Sequence, residues 1–216
     1  MAIEKDFFRQ VMGRFTTGVT VVTTNKDGVL GGMTVSAFAS LSLNPPLVLI
    51  CVDRVSHTLN LFRESKTFAV NFLTTEQVPL SRGFATPSKE RFEYFCHAPY
   101  HIAATGAPIL DNVLGFVDAR LVAEYPGGDH VIFIGQVEAV GTAGHVAFAT
   151  EEGRIRSTLA HYEELLPGSS NGKTPPHEPA PLTYYRGRYR HLAGEYEEPS
   201  LGPSYAADPA SEPAGR

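Results

Sequence analysis

The chain has 216 residues, of which 43% are hydrophobic, and it carries a formal net charge of −5. This length is sufficient for one domain with a substantial core, but it is too short for two large domains. The acidic balance excludes nucleic acid and anionic membranes as main partners, since both need a basic surface. We therefore expect small molecules or proteins as partners.

The cysteine content and the first residues favour a cytoplasmic protein. Cys51 lies in an apolar run and Cys96 precedes His97, without the CxxC spacing of a zinc site or a dithiol. We expect two free thiols in a reducing compartment. The start lacks a basic segment followed by an apolar one, and no apolar run approaches the roughly 18 residues of a membrane span.

An amphipathic helix is predicted over residues 4–15. Its apolar side chains recur at spacings of three and four: Phe7, Phe8, Val11, Met12 and Phe15. We expect this face to dock on a sheet. A β-hairpin follows, in which the β-branched run 18–24 and the strand 31–38 flank the turn residues 25–28.

The segment 31–46 carries small and hydroxyl side chains where a buried strand would carry bulky ones. Backbone that is left open beside small residues suits the polar edge of a flat ligand. The alternative is a strand whose serines and threonines face solvent. On this motif alone both interpretations remain open.

The middle of the chain alternates short strands and helices. In order, it predicts a central strand buried on both faces (47–52), a helix (56–63), a strand (67–73) and a helix (75–84). Asp53 or Ser56 is the expected cap of the first helix. Residues 85–112, rich in Pro, His and Gly, are expected to be irregular.

Two longer strands, 114–125 and 130–140, alternate apolar and polar residues like a half-exposed antiparallel pair. The count is then about six strands with few helices. No βαβ rhythm and no GxGxxG motif is present, so a doubly wound nucleotide-binding fold is excluded in favour of an antiparallel barrel.

We predict one domain over residues 1–193, interrupted by an insertion at about 141–180. Within the insertion we expect a helix over 155–166 and a flexible linker over 167–176. Residues 182–192 resemble an aromatic and basic strand. Residues 194–216, rich in Pro, Gly, Ser and Glu, are predicted to be a disordered tail.

Five motifs occur in a recognisable order. They are the run 18–24, the strand 32–37 with Pro45-Pro46 after it, the turn 53–58, the strand 68–73 and the turn Gly128-Asp129-His130. Together they resemble the short-chain flavin reductases, the small components of two-component flavin monooxygenases. The resemblance covers about residues 5–140, resumes at 181–192, and implies an antiparallel six-stranded Greek-key split β-barrel, the FMN-binding split barrel.

The resemblance implies a flavin site. Its residues would be Thr34, Val35, Ser36, Ala37, Ser40, Cys51, Val52, Asp53, Ser56, Thr58, Phe84, Ala85, Arg91 and Phe92. The ring would lie on the small-residue strand and the phosphate at the turn 56–58, where His57 is bulkier than the family pattern. Taken singly, Ser56 would be a plain helix cap, Arg91 a solvated charge and Phe92 a core residue.

The resemblance also places His130 beside NAD(P)H as a catalytic and nicotinamide-binding residue, with Tyr185 nearby in the C-terminal strand. Hydride transfer to flavin N5 depends on stacking and distance, so His130 need not act as an acid or base. The alternative for Gly-Gly-Asp-His is a simple hairpin turn. The other histidines lack metal-site spacing, so we predict no metal.

The implied function is that of an NAD(P)H:flavin oxidoreductase. It would bind FMN or FAD, accept a hydride from NADH or NADPH, and supply reduced flavin to a partner monooxygenase, as a homodimer. One alternative is an enzyme that retains its flavin and acts on an organic substrate; another is a non-catalytic electron carrier. We further hypothesise that Arg154, Arg156 and the insertion helix form a lid or partner contact.

Overall fold

The computed structural model describes residues 3–86, 95, 98–142, 145–149, 155–158 and 180–192, and most of this chain is strand. The helices are α1 (Lys5–Met12), α2 (Leu59–Ser65) and α3 (Val78–Ala85), with a 3₁₀ turn at Thr75–Gln77. The strands are β1 (Thr17–Gly18), β2 (Thr20–Lys26), β3 (Val29–Val35), β4 (Phe38–Leu43), β5 (Pro46–Asp53), β6 (Thr67–Phe72), β7 (Tyr100–Ile102), β8 (Pro108–Leu110), β9 (Gly115–Gly127), β10 (His130–Thr142), β11 (His145–Ala149), β12 (Ile155–Thr158), β13 (Thr183–Tyr185) and β14 (Arg188–Arg190).

A nine-stranded antiparallel sheet forms the body of the molecule. Its order is β12-β11-β10-β9-β6-β2-β3, and β5 joins β10 and β4 at one side of this path. The long strand β10 serves two neighbours on one edge: residues 130–136 pair with β5 and residues 139–142 pair with β11. The fold is therefore mainly β with few helices, as expected.

The six strands expected from the sequence are present as β2, β3, β5, β6, β9 and β10. In the described part of the chain β3 pairs only with β2, and β4 pairs only with β5. The sheet is thus open between these two strands, and a closed barrel is not formed.

The β2–β3 hairpin confirms the turn prediction. Asp27 and Gly28 have φ angles of 52° and 88°, the left-handed conformation that a two-residue hairpin turn of type I′ requires at both positions. The side chain of Asn25 accepts a hydrogen bond of 3.0 Å from the Gly28 amide. Local turn chemistry thus sets the register of this hairpin.

The main core lies between the sheet and α2. On β5 the side chains of Val48, Ile50 and Val52 are buried, while those between them are partly exposed. The prediction that this strand is buried on both faces was therefore wrong. Leu59 and Phe62 of α2 are buried against the same cluster, which makes α2 the cover of this core.

Four other local predictions differ from the structure. Helix α2 begins at Leu59, and its N-cap, Thr58, makes no side-chain capping bond, so neither Asp53 nor Ser56 caps it. Residues 85–112 contain the β7–β8 hairpin. Residues 155–158 form strand β12, paired with β11, instead of the start of a helix. Residues 183–190 form a hairpin with a turn at Arg186-Gly187, not a single strand.

Helix α1 is present, but it does not dock on the sheet. All its residues are exposed, and its four apolar side chains, Phe7, Phe8, Val11 and Met12, remain between 48% and 60% exposed. The helix is held at its end, where the Gly13 carbonyl accepts a bond of 2.7 Å from the Arg186 amide. Its apolar face has no cover in the described chain.

The β7–β8 hairpin is anchored on the sheet by buried polar side chains. The side-chain oxygen Oδ1 of Asn71 accepts a bond of 2.8 Å from the Leu110 amide, and the Asp118 carboxylate accepts bonds from the amides of Ala104 and Thr105. Buried polar groups are costly unless they are bonded in this way. No helix in the described chain is long and apolar enough to cross a membrane.

Candidate functional site

The small-residue segment lies at the open side of the sheet. Val35 ends β3, and Ser36 and Ala37 form an exposed link to β4. The amide of Cys51 donates a hydrogen bond of 3.0 Å to the Ala37 carbonyl. Backbone and small side chains are therefore accessible at this link, beside the predicted site residues on β5.

The turn 53–58 is pinned to β3 next to this link. The Ser56 hydroxyl contacts the sulfur of Met33 at 3.6 Å and accepts a bond of 3.3 Å from the Thr58 amide. The buried Thr58 hydroxyl lies 3.5 Å from the Gly32 carbonyl. The structure thus brings the predicted phosphate turn against the predicted ring strand, 20 or more residues away in sequence.

His130 lies beside the end of β5 at which the turn 53–58 begins. It is the register partner of Asp53, and the Arg54 amide donates a bond of 3.0 Å to the Asp129 carbonyl. The Nδ1 atom of His130 is 2.7 Å from the Asp129 carboxylate. This hydrogen bond from the imidazole holds the pKa of Asp129 below its ordinary value.

The imidazole of His130 is 42% exposed, so a ligand can reach it. Because Asp129 holds Nδ1, the ring has a set orientation and presents Nε2 on its other side. Asp53 and His130 together form a polar corner next to the Ala37–Cys51 contact. Among the described residues no group of His, Cys, Asp or Glu side chains fits a metal ion.

Helix α3 closes the site on the other side of β3. The Thr34 hydroxyl donates a bond of 2.6 Å to the Ser81 carbonyl, and the buried Phe84 ring packs over Gly32. A Cβ atom at Gly32 would lie 2.7 Å from that ring, so the close approach of α3 to β3 needs a glycine here.

A cavity of about 270 Å³ lies between β3, α3 and the β13–β14 hairpin. It is lined by Val19, Met33, Thr34, Ser36, Ser81, Phe84, Ala85, Tyr184 and Tyr189. The hydroxyls of Ser81 and Tyr189 are 3.0 Å apart and join α3 to the hairpin. Four of these nine residues were predicted from the sequence; the other five were missed.

The missed residues carry little local signal. Ser81 is a fully buried hydroxyl in a short helix, and Tyr189 belongs to the C-terminal aromatic segment, in which only Tyr185 was predicted to contact a ligand. That Ser81 lines the cavity can be seen only when the contact between α3 and β3 is known.

Several predicted site residues are only partly accessible to a ligand. The side chains of Val35 and Val52 are 4% and 0% exposed and belong to the core, so only their backbone can face a ligand. Ser40 is exposed on β4. Burial raises the pKa of the Cys51 thiol, which keeps it protonated. Arg91 and Phe92 lie outside the described residues.

Tyr185 and His130 lie on strands that share no pairing partner. Tyr185 is on β13, and the Arg186 guanidinium lies over its ring at 5.5 Å. Strand β13 pairs with β1 and β14, whereas His130 pairs with β5 and β9. In the described part of the chain no hydrogen bond or ion pair joins the two predicted nicotinamide residues.

The arrangement fits a flavin in three respects. Exposed backbone with small side chains at Ser36 and Ala37 can approach a flat ring. The partly exposed Ser56 side chain lies beside it, and a half-exposed imidazole lies at the same end of β5. The residues present therefore suit a ring, a polar chain and a second, nicotinamide ligand.

The comparison with known families decides the class. The model of the flavin reductase like domain matches residues 12–193, most of the chain. This chain belongs to the flavin reductase family. The family expected from the sequence motifs is thereby confirmed.

Two curated relatives of this chain are named as reductases. The reductase subunit HsaB of a flavin-dependent monooxygenase from Mycobacterium tuberculosis is 31% identical over 198 residues, which cover 92% of this chain and 88% of HsaB. A flavin reductase (NADH) from Kitasatospora aureofaciens is 40% identical over 141 residues, which cover 64% of this chain and 73% of that protein.

Solved structures agree with this fold. Nitrilotriacetate monooxygenase component B from Mycobacterium thermoresistibile superposes with a TM-score of 0.71 at 28% identity, covering 94% of each chain. The NADH:FAD oxidoreductase SgcE6 of Streptomyces globisporus C-1027, in complex with NAD and FAD fragments, has a TM-score of 0.68 at 28% identity and covers 90% of this chain and 96% of its own.

Proposed function

We infer that this protein is an NAD(P)H-dependent flavin reductase that reduces FMN or FAD and supplies the reduced flavin to a partner monooxygenase. The observation that carries this conclusion is the family match over residues 12–193, together with relatives named as reductase subunits of monooxygenases. The exposed link at Ser36 and Ala37 and the half-exposed His130 supply the two faces that such a reaction needs.

Bound flavin would supply the chemistry, since its N5 atom accepts the hydride. The residues of this chain bind and orient. We propose that the backbone at 34–37 and 51–53 lies against the ring, and that Ser56 and Thr58 hold the phosphate. Ser36 and Ala37 are small and exposed, so their side chains would not block a hydride donor that approaches a ring bound at the link.

We propose His130 as the residue that orients the nicotinamide. Asp129 holds its Nδ1 atom, so Nε2 can hydrogen-bond a carboxamide without a change of ring orientation. The group works by positioning, because hydride transfer between two stacked rings depends on distance and alignment rather than on a proton donor. Tyr185 as a second nicotinamide contact stays a prediction.

The proposed activity is tested by NADH and NADPH oxidation with FMN, FAD and riboflavin. We expect turnover with free flavin, a perturbed flavin spectrum and a raised melting temperature when flavin binds. A protein that retains flavin on gel filtration and consumes NADH slowly with added flavin would be the flavin-retaining enzyme instead. Absence of any spectral or melting change in saturating FMN and FAD would contradict the proposal.

His130→Ala should raise the KM for the nicotinamide nucleotide about tenfold, since the substitution removes about one hydrogen bond of binding energy. The value of kcat at saturation should change much less, because the imidazole acts in binding. His130→Gln, which keeps a donor and an acceptor, should recover part of the loss. Steady-state kinetics with varied NADH and NADPH measure both quantities.

The control for this substitution is Gln136→Ala, at an exposed position on the same strand and opposite Leu47. It should leave the nicotinamide KM unchanged. A loss of kcat in His130→Ala with the KM unaltered would mean that the histidine takes part in the chemical step, and the positioning role would be wrong.

We also propose that the protein is a homodimer. Its support is the apolar face of α1, which the described chain does not cover, together with exposed Leu41 and Leu43 on the open strand β4. Apolar surface of this kind is typical of an interface. The partner in this proposal is a second copy of the chain.

Finer points of the sequence prediction remain proposals. We propose that β2, β3, β5, β6, β9 and β10 make up a six-stranded Greek-key split barrel, in which the gap between β3 and β4 is the split. The tail at 194–216 and the lid role of Arg154 lie outside the described residues. Of Arg156 the structure describes only the backbone, in β12. The cytoplasmic location stays a prediction.

A further inference from the structure

We propose that Arg54 binds the phosphate next to the nicotinamide riboside of NADH or NADPH, so that it holds the nucleotide while His130 orients the ring. This inference rests on the proposed function, because it adds a contact to the same hydride donor. Arg54 is not among the ligand residues predicted from the sequence. It lies in the turn 53–58, two residues before Ser56, which is proposed to hold the flavin phosphate.

The arginine is held beside His130 by its backbone and by its side chain. Its amide donates a bond of 3.0 Å to the Asp129 carbonyl, and its Nε atom donates a bond of 3.4 Å to the His130 carbonyl. With Nε used in this way, the two terminal nitrogens of the planar guanidinium remain as a fork of donors. The side chain therefore has a set direction next to the proposed nicotinamide residue.

The fork of Arg54 is exposed, and in the described part of the chain it forms no ion pair with a carboxylate. The two acidic residues next to it are engaged elsewhere. The Asp53 carboxylate accepts a bond of 3.0 Å from the Val55 amide, and the Asp129 carboxylate holds Nδ1 of His130. An oriented guanidinium without a carboxylate partner suits a phosphate, whose oxygens match its paired donors.

The two sides of the turn face different parts of the molecule. The Ser56 hydroxyl contacts Met33 on β3, whereas Arg54 bonds to Asp129 and His130 at the start of β10. Ser56 can therefore serve the flavin while Arg54 serves the ligand at His130. In a nicotinamide nucleotide one ribose separates the ring from the nearest phosphate, and the additional phosphate of NADPH lies on the far ribose. A guanidinium next to His130 can reach the nearer one.

A second cation borders the same corner. The hydrogen bond from His130 is the main cause that lowers the pKa of Asp129, and the positive charge of Lys5 adds to it. The ammonium group of Lys5, in the first turn of α1, therefore acts on the corner that Arg54 borders. Two cations at the rim of one site favour an anionic ligand.

The test compares three hydride donors with Arg54→Gln: NADH, reduced nicotinamide mononucleotide, and N-benzyl dihydronicotinamide, which carries the same ring without a phosphate. We expect the KM to rise about tenfold for the first two, since a charge-assisted contact is lost, and to stay unchanged for the third. NADPH should behave like NADH. Arg54→Lys, which keeps the charge without the planar fork, should recover part of the loss.

Arg120→Gln is the matched control, because it removes the same charge from an exposed position on β9. It should keep the KM for NADH within about twofold of the wild type. Ionic strength gives a second readout that a purely structural role would not change. The KM for NADH should rise with salt more steeply in the wild type than in Arg54→Gln, because salt screens a phosphate contact.

Three outcomes would each overturn the inference. They are an equal loss with the donor that lacks a phosphate, a loss confined to NADPH, and weaker FMN binding with the nucleotide KM unchanged. His130→Ala separates the two roles, since it should raise the KM for all the donors, including the one without a phosphate. A wild type that oxidises none of these donors with added flavin would instead contradict the proposed function, so the two failures can be told apart.

Discussion

Replacing Asp118 by alanine should lower the free energy of unfolding by about 3 kcal/mol, a large fraction of the stability of a domain of this size. Asp118 is fully buried on β9, and one carboxylate oxygen accepts bonds of 2.8 Å from the amides of both Ala104 and Thr105. The other oxygen accepts a bond from the Thr105 hydroxyl. Alanine would leave all three donors without this acceptor and free the loop before β8.

Asp118→Asn is the matched comparison. Its amide has the same shape and keeps one oxygen for the two backbone donors, so the loss should stay below about 1 kcal/mol. Urea unfolding of both variants, followed by circular dichroism, measures the difference. An equal loss in the two variants would show that the carboxylate does more than accept these bonds.

The pH dependence of the same comparison has a definite sign. Burial raises the pKa of Asp118 above its ordinary 3.8, so the folded chain keeps this proton to a higher pH than the unfolded chain does. The carboxyl therefore stabilises the fold most below pH 3.8, and this contribution decreases as the pH rises through the raised pKa. The unfolding free energy of the wild type minus that of Asp118→Asn should decrease over this range.

Phe8→Glu should raise the dissociation constant of the proposed dimer by about 100-fold. Phe8 is 54% exposed on the uncovered face of α1, and a partner chain that buries it gains the transfer energy of a large apolar side chain. A glutamate there removes this gain and places a charge in the interface. Sedimentation velocity over a range of protein concentrations measures the shift from dimer to monomer.

The control is Gln10→Glu, which adds the same charge to a polar position of the same helix. It should leave the dissociation constant within about threefold of the wild type, because surface charges contribute little. A wild type that is monomeric at all concentrations would refute the dimer. A dimer that resists Phe8→Glu would place the interface elsewhere, with the strand β4 as the next surface to test.

Much of the fold is determined locally and was predictable. The turn residues 25–28 need positive φ at Asp27 and Gly28, and this chemistry sets the β2–β3 hairpin without help from distant contacts. The β-branched and alternating runs likewise indicated the six strands of the central sheet. The order of the five motifs along the chain then indicated the family, because each motif is a short stretch that can be recognised whatever the length of the loops between them.

Other features depended on contacts that no local pattern reveals. Residues 155–158 have a helix-like pattern, yet they pair with β11, because backbone hydrogen bonds to an existing sheet edge override a weak local preference. The apolar pattern of α1 correctly indicated a helix but not what would cover it. Periodicity shows which face is apolar, and only the tertiary structure shows that the sheet leaves that face uncovered.

By itself the sequence determined the class of protein and the six strands β2, β3, β5, β6, β9 and β10, and it predicted that a flavin ring lies at Ser36 and Ala37, since these inferences follow from side-chain type and spacing along short stretches. The tertiary structure alone decided the cavity. Its walls come from positions as far apart as Thr34, Ser81 and Tyr189, which are joined by contacts of 2.6 and 3.0 Å. Contacts between residues so distant in the chain depend on how α3 and the C-terminal hairpin pack on the sheet, and short-range patterns carry no record of that packing.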